Sequence, residues 1–288
     1  NVWQGFDVAV CRAVAAAVLG DSTAIEFVPT TGKTRFTALA SGEIDMLSRT
    51  TTWTLSRDVD LKFDFQGVNY YDGQGFMVPK EMGITSAKDL GGATVCIQTG
   101  TTTELNLADF FRVNNMSYEP VPVEKNSESR ALYLAGACDV YTTDASGLAA
   151  TRATFENPGD HVILDEIISK EPLGPLTRHG DNQWGDIVRW TLNALIAAEE
   201  LGVTSANLAE MAAAPTNNPE INRLLGTEGT LGAYLGLSAT WAVDALAVAG
   251  NYAEIFEAHV GVNTPVGLAR GLNALWKDGG ILYTPPFR

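Results

Sequence analysis

The stretch GFDVAVCRAVAAAVLG sets apolar positions at helical spacing and closes on Gly20, which predicts an amphipathic opening helix. The following AIEFVP, with Ala24 to Val28 at its centre, has the composition of a strand. A loop, a helix from Lys33 to Ala40, a stop at Ser41-Gly42 and a strand from Ile44 to Leu47 complete a βαβ unit. In an alternating α/β chain the opening helix should itself follow a strand, so a first strand is expected before Asn1. Thr31 is the expected cap of the second helix. The tempting Gly32-Lys33-Thr34 is not a phosphate loop, because Phe27 stands where that loop needs its upstream glycine.

Aromatic and β-branched residues then alternate with glycines in FQGVNYYDGQGFMVPKE, a pattern for one long strand or two short ones. A second α/β run follows: a strand from Thr94 to Gln98, a Thr/Gly loop, a helix from Thr102 to Asn114, a strand in YEPVPVEK, a helix in SESRALYLAG, a strand in CDVYTT and a helix in DASGLAATRATF. The segments FTALASGEIDMLSRT and RALYLAGACDVYTTD echo one another, a hint of two similar lobes. From Trp184 to Trp276 the chain turns helical. Trp184, Val188, Leu192, Leu195 and Ile196 form one apolar face, and later helices are expected at Ala206 to Ala213, Glu220 to Leu225, Ala239 to Ala249, Tyr252 to His259 and Val266 to Lys277.

Length and charge narrow the function. The 288 residues suggest about two domains, and 45% apolar with 18% charged residues describes a globular chain with real cores. A formal net charge of −15, with no basic cluster to offset it, argues against nucleic acid as partner. No apolar run reaches the roughly 18 residues of a membrane span. Three cysteines are present: Cys96 and Cys138 form a pair with Cys11 left over, or all three are reduced core thiols. No Cys/His spacing suggests a metal, and nothing calls for a cofactor.

Ligands of open parallel sheets bind beyond the carboxyl ends of the strands. Three such ends carry polar residues here. Ser48 to Arg57 offers Thr50, Thr52 and Arg57 to an anion, Thr99 to Thr103 offers Gly100 and a helix N-terminus, and Asp144 offers a carboxylate to a cation. Each has a plainer reading, since Thr101 or Thr102 and Asp144 fit as helix caps and Arg57 could pair with Asp58 or Asp60. Together they describe a zwitterion, such as an amino acid.

At these residues the chain resembles the periplasmic amino-acid-binding proteins of ATP-binding-cassette uptake systems, in particular the general L-amino-acid-binding group. The resemblance runs through GFDVAVCRAVAAAVLGD, RFTALASGEIDMLSRTTTWTLSRD, YYDGQGFMV, VCIQTGTTTELNLADFFRVNNM, CDVYTTDASGL, EIISKEPLGP, DIVRWTLNALIAAEELGVT and ARGLNALWKDGGILYTPP. It implies an α/β, two-lobed periplasmic binding protein fold of type II, each lobe a mixed sheet flanked by helices, with a helical C-terminal extension. Lobe one would take residues 1–75, without its first strand and the loop after it. Lobe two would take 76–172, and 173–288 would return to lobe one and add the extension. Hinge strands are expected near Gly73 to Val78 and Ser169 to Pro175.

The resemblance places the ligand's α-carboxylate on Arg57, Thr50, Thr52 and Thr102 and its ammonium on Asp144. Arg49, Trp53 and Tyr71 are candidate side-chain contacts; Arg49 either reaches an acidic ligand side chain or holds a carboxylate of the protein. Ala9 stands where the family usually has an acidic residue. A Cys96 to Cys138 disulfide is implied by export, and the expected partners are an L-amino acid and a membrane permease complex, in the periplasm. The rival readings are an enzyme on the same fold, of the cyclohexadienyl or arogenate dehydratase kind, and a sensory amino-acid-binding domain. The family implies no cofactor.

Overall fold

The computed structural model describes residues 2–288. Helix α1 (Phe6–Leu19) ends where Gly20 turns left-handed and donates back to the Ala16 carbonyl. Its alanine-rich face, Ala13 and Ala17 included, is buried among helices from the far end of the chain. Helix α2 (Arg35–Ser41) ends likewise at Gly42, and Thr31 helps its start by accepting the Thr34 N–H at 3.2 Å, although Thr34 itself is the cap.

Two expected strands of this region are not strands. Residues 24–28 have no ladder partner among the described residues; Phe27 instead stacks on Trp3, with ring centroids 5.3 Å apart. Strand geometry without a neighbour leaves backbone groups to solvent, so propensity alone does not hold it. Ile44 to Leu47 yields a single bridge, Leu47 to Leu176. There the Arg178 guanidinium takes the Ile44 carbonyl at 2.6 Å, replacing a ladder by a side chain.

A π-helical turn at Ser56–Asp60 leads into β1 (Phe63–Phe65). Strand β2 (Tyr70–Asp72) is followed at once by β3 (Gln74–Pro79), and the second α/β run comes as the pattern foretold. It contains β4 (Thr94–Gln98), α3 (Thr102–Val113), β5 (Glu119–Val123), α4 (Asn126–Leu134), β6 (Val140–Asp144), α5 (Ala145–Arg152) and β7 (His161–Ile163). These strands make one mixed sheet in the order β5-β4-β6-β3-β7, with β4 parallel to both neighbours and β3 antiparallel to β6. Phe76, Val95, Leu107, Phe111 and Val140 fill one face. On the other, Cys96 and Cys138 are joined in a disulfide, both buried.

Strands β8 (Glu171–Leu173) and β9 (Leu176–Arg178) return the chain. β2 pairs antiparallel with β8 and β1 with β9. The crossing between lobes is therefore Tyr70–Asp72 beside Glu171–Leu173. The expected crossing at Gly73 to Val78 lies one strand too late, because that segment forms the interior of the five-stranded sheet, buried from Gln74 to Val78.

The remainder is helical. Helix α6 (Asn182–Leu201) buries Val188, Leu192, Leu195 and Ile196 as the apolar face required. Then come α7 (Leu208–Ala213), α8 (Pro219–Leu224), α9 (Leu231–Tyr234), α10 (Trp241–Ala249) and α11 (Tyr252–His259). The helix expected over Val266 to Lys277 does not form; only short turns at Gly271–Asn273 and Trp276–Asp278 appear. Gly267 and Gly271 take φ of 71° and 50°, which interrupts any α-helical run. This tail braces the crossing: the Asn273 side chain accepts the Tyr71 N–H at 2.7 Å and donates to the Tyr71 carbonyl at 3.0 Å.

Candidate functional site

Parallel β4 and β6 end at one edge of the five-stranded sheet, where Gln98 and Asp144 emerge and β3 begins at Gln74. Facing this edge is the irregular segment from Ser48 to Arg57. A cavity of about 260 Å³ lies between them. Arg35, Arg49, Thr50 and Thr52 line one side; Gln98, Thr101, Thr102, Asn126, Thr143 and Asp144 are among those on the other. The lobes meet closely beside it, for a Cβ on Gly32 would stand 2.9 Å from Thr101 Cγ2 and 3.1 Å from the Thr99 carbonyl.

The Ser48 to Arg57 wall is shaped by side chains. Asp7, in the first turn of α1, accepts the Thr50 N–H at 2.9 Å, the Ser48 hydroxyl at 3.0 Å and the Asn69 amide at 2.9 Å. Thr50 sits at φ 36°, a strained value for a β-branched residue that the Asp7 bond helps to hold. From beneath, Arg35 Nη1 donates to Thr51 Oγ1 at 3.0 Å and to the Arg49 and Thr50 carbonyls at 3.4 Å. Arg57 stands one layer behind the cavity wall, its Nη1 2.8 Å from the Thr52 carbonyl. It does not pair with Asp58 or Asp60. Arg35 and Arg57 both lie over the Phe36 ring, at 4.9 and 5.1 Å.

On the opposite lobe Thr101 is the cap of α3, accepting the Glu104 N–H, and Thr102 follows it in the cavity lining. Glu104 turns back to accept the Gly100 N–H at 3.1 Å. Asp144 precedes α5 but makes no capping bond. Burial, with the charges of Asp72 and Glu171 nearby, pushes its carboxyl well above the usual range, against the pull of Arg35 and Arg57. A carboxylate so placed gains from a cation. Of the other sequence candidates, Trp53 stacks on Phe65 and donates to Asp58 at 2.6 Å, and Tyr71 lies on the crossing strand; neither lines the cavity.

Two residues here escape a reading by motif. Glu171, buried on crossing strand β8, accepts hydroxyls from Thr52 and Thr102 on Oε2, and from Asn106 and Ser169, each at 2.7 Å, on Oε1. A single carboxylate thus joins both lobes. Its one local signal was an acid at the head of the short Glu-Pro-Leu strand. Arg35 shares the face of Ala38 and Leu39, at the three- and four-residue spacing of a core stripe, and that mismatch was its signal.

The profile of bacterial extracellular solute-binding proteins, family 3, matches residues 1–207. The chain is 64% identical over 288 residues to the glutamate/glutamine/aspartate/asparagine-binding protein of Rhodobacter capsulatus, covering 100% of this chain and 85% of that one. It is 58% identical over 288 residues to the general L-amino acid-binding periplasmic protein of Rhizobium johnstonii, covering 99% and 84%. Its structure matches an ABC transporter / periplasmic binding protein from Brucella ovis with glutathione bound, with a TM-score of 0.97 at 55% identity over 100% of this chain and 90% of that one.

Proposed function

Because the chain belongs to the bacterial extracellular solute-binding proteins, family 3, we propose that it binds free L-amino acids between its lobes and, in the periplasm, delivers them to a membrane permease of the ATP-binding-cassette type. The observation that carries this reading is the charge layout of the cavity: the half-buried Asp144 on one wall faces arginines on the other. An amino acid presents the two complementary charges on one carbon.

The α-carboxylate goes to the side of Thr50, Thr52, Arg57 and Thr102. Arg57 has N–H donors beyond the one given to Thr52, and Thr102 offers the backbone N–H of a helix N-terminus. The ammonium goes to Asp144. Charge-assisted bonds of about 1.5–3 kcal/mol each, three or four of them, support micromolar binding after the cost of closure. Residues from both lobes must meet for this set to form, so ligand and closure stabilise each other, and the closed shape is what a permease reads.

Binding rather than catalysis is supported by the names of the relatives that span the chain, and by Glu104, whose carboxylate is engaged with Gly100 rather than aimed at the cavity. Calorimetry with the twenty amino acids is expected to give Kd values of about a micromolar or below for several of them. Arg57→Ala should weaken these by about 100-fold or more and also lower the melting temperature, because the Thr52 carbonyl loses its donor; near-normal affinity in the folded variant overturns the assignment. Conversion of any bound amino acid into product would favour the enzyme reading.

A further inference from the structure

Glu171 stands on β8, the strand that carries the chain back between the lobes, and is only 1% exposed. It takes part in no ion pair among the described residues. Its carboxylate is met instead by neutral donors, Thr52 and Thr102 on Oε2 and Asn106 and Ser169 on Oε1. These donors fill the lone-pair positions that a carboxylate offers. Ser169 in turn accepts the Gln74 N–H at 3.2 Å, which leaves its own proton for Glu171. A hydroxyl has a single proton, and Thr52 and Thr102 both direct theirs here.

That commitment fixes what the two threonines can offer. Both line the cavity, Thr52 from the first lobe and Thr102 from the second, with their hydroxyl oxygens 3.3 Å apart. With the protons turned towards Glu171, only oxygen lone pairs remain for a ligand, and lone pairs call for a donor. The donor an amino acid brings is its ammonium, whose N–H bonds spread over more than one acceptor. We propose that Glu171 is a positioning residue for the ligand, holding the Thr52 and Thr102 hydroxyls as acceptors for the ammonium beside Asp144. This rests on reading the cavity as an amino-acid site. The ligand's carboxylate is then left to N–H groups, those of Arg57 and of the Thr102 backbone. The charge of Glu171 works in the same direction, since it is felt at Asp144 and at Arg57. A negative group one hydroxyl behind the wall favours a cation in front of it.

The test is a double-mutant cycle on the full chain: wild type, Glu171→Gln, Thr52→Val and the pair together, each titrated with the twenty L-amino acids, with melting curves to establish folding. Each single change should weaken every bound amino acid by about tenfold, and by a common factor, because the ammonium is common to them all. The double variant should bind about as well as the weaker single one, since Glu171 acts through the hydroxyl that Thr52→Val removes. Thr52→Ser, which keeps the hydroxyl, should stay near wild type. Should Glu171→Gln fail to fold, Glu171→Asp, which withdraws the carboxylate by one methylene, takes its place in the cycle. Wild-type affinity in the folded Glu171 variant, or losses that simply multiply in the double variant, overturns the positioning role and leaves the amino-acid reading intact. A wild type that binds none of the twenty overturns both.

Discussion

The two walls of the cleft are made by different means. On the second lobe the polar residues hang from the ends of a continuous ladder, and the register Val95 to Val140 puts β4 and β6 side by side before they release Gln98 and Asp144. On the first lobe the wall from Ser48 to Arg57 has only isolated bridges to the returning chain, at Leu47 and Thr52. Asp7, Arg35 and Arg57 hold its carbonyls and N–H groups instead. The difference teaches where stability and shape come from: the first wall depends on named side chains from distant positions, the second on backbone pairing and a disulfide.

The sharpest way to break this contrast is to remove the disulfide. Replacing both Cys96 and Cys138 by Ala should cost the five-stranded lobe about 2–5 kcal/mol, since a cross-link of this span restricts the unfolded chain. All six tryptophans lie outside that lobe. Hydrogen exchange should therefore quicken in β4 and β6 while the tryptophan-detected transition moves far less. A uniform loss in both would mean that the two walls share one cooperative unit.

The reverse experiment is Asp7→Ala. It strands the Thr50 N–H, the Ser48 hydroxyl and the Asn69 amide, at about 1–3 kcal/mol. Loss should appear in the tryptophan transition and in ligand affinity, with exchange in β4 and β6 unchanged. Preserved affinity would show that Asp7 does not set the first wall.

The smallest stability effect is expected at Asp144→Asn, and its sign is upward. Folding raises this carboxyl above its unfolded value, so the folded state bears a cost for the ionised form at neutral pH. That cost fades as pH falls through the raised value and is gone below the unfolded one, at about pH 4. The Asn variant should therefore melt slightly higher than wild type at pH 7, with the gain vanishing in acid, while ligand binding is lost. The wild type's own affinity should fall as acid protonates Asp144. A variant that binds normally, or that melts lower at pH 7, counts against the ammonium site.

The second lobe was legible because its signals are local. The strand at Thr94 to Gln98 coincides with β4, and the helix from Thr102 ends within a residue of its expected stop. The Thr/Gly loop and Asp144 could be placed from strand ends alone. The first lobe resisted because its geometry follows from partners far away: Arg178 unmakes the strand at Ile44, and Asp7 fixes Thr50 from 43 positions upstream. For the same reason Arg57 stood out by motif, whereas Arg35, an arginine on a core stripe, lines the cavity beside Arg49. Glu171 stayed hidden because its partners, Thr52, Thr102 and Asn106, are strangers in sequence.

Glu171 also carries a consequence for how such a protein changes over time. It ties one lobe to the other through hydroxyl and amide groups yet is not part of the cavity lining. How firmly the lobes hold together can thus be adjusted at the crossing strand, outside the cavity lining. Because two of its partners, Thr52 and Thr102, also line the cavity, a change at Glu171 reaches the cavity wall without altering the carboxylates that line it.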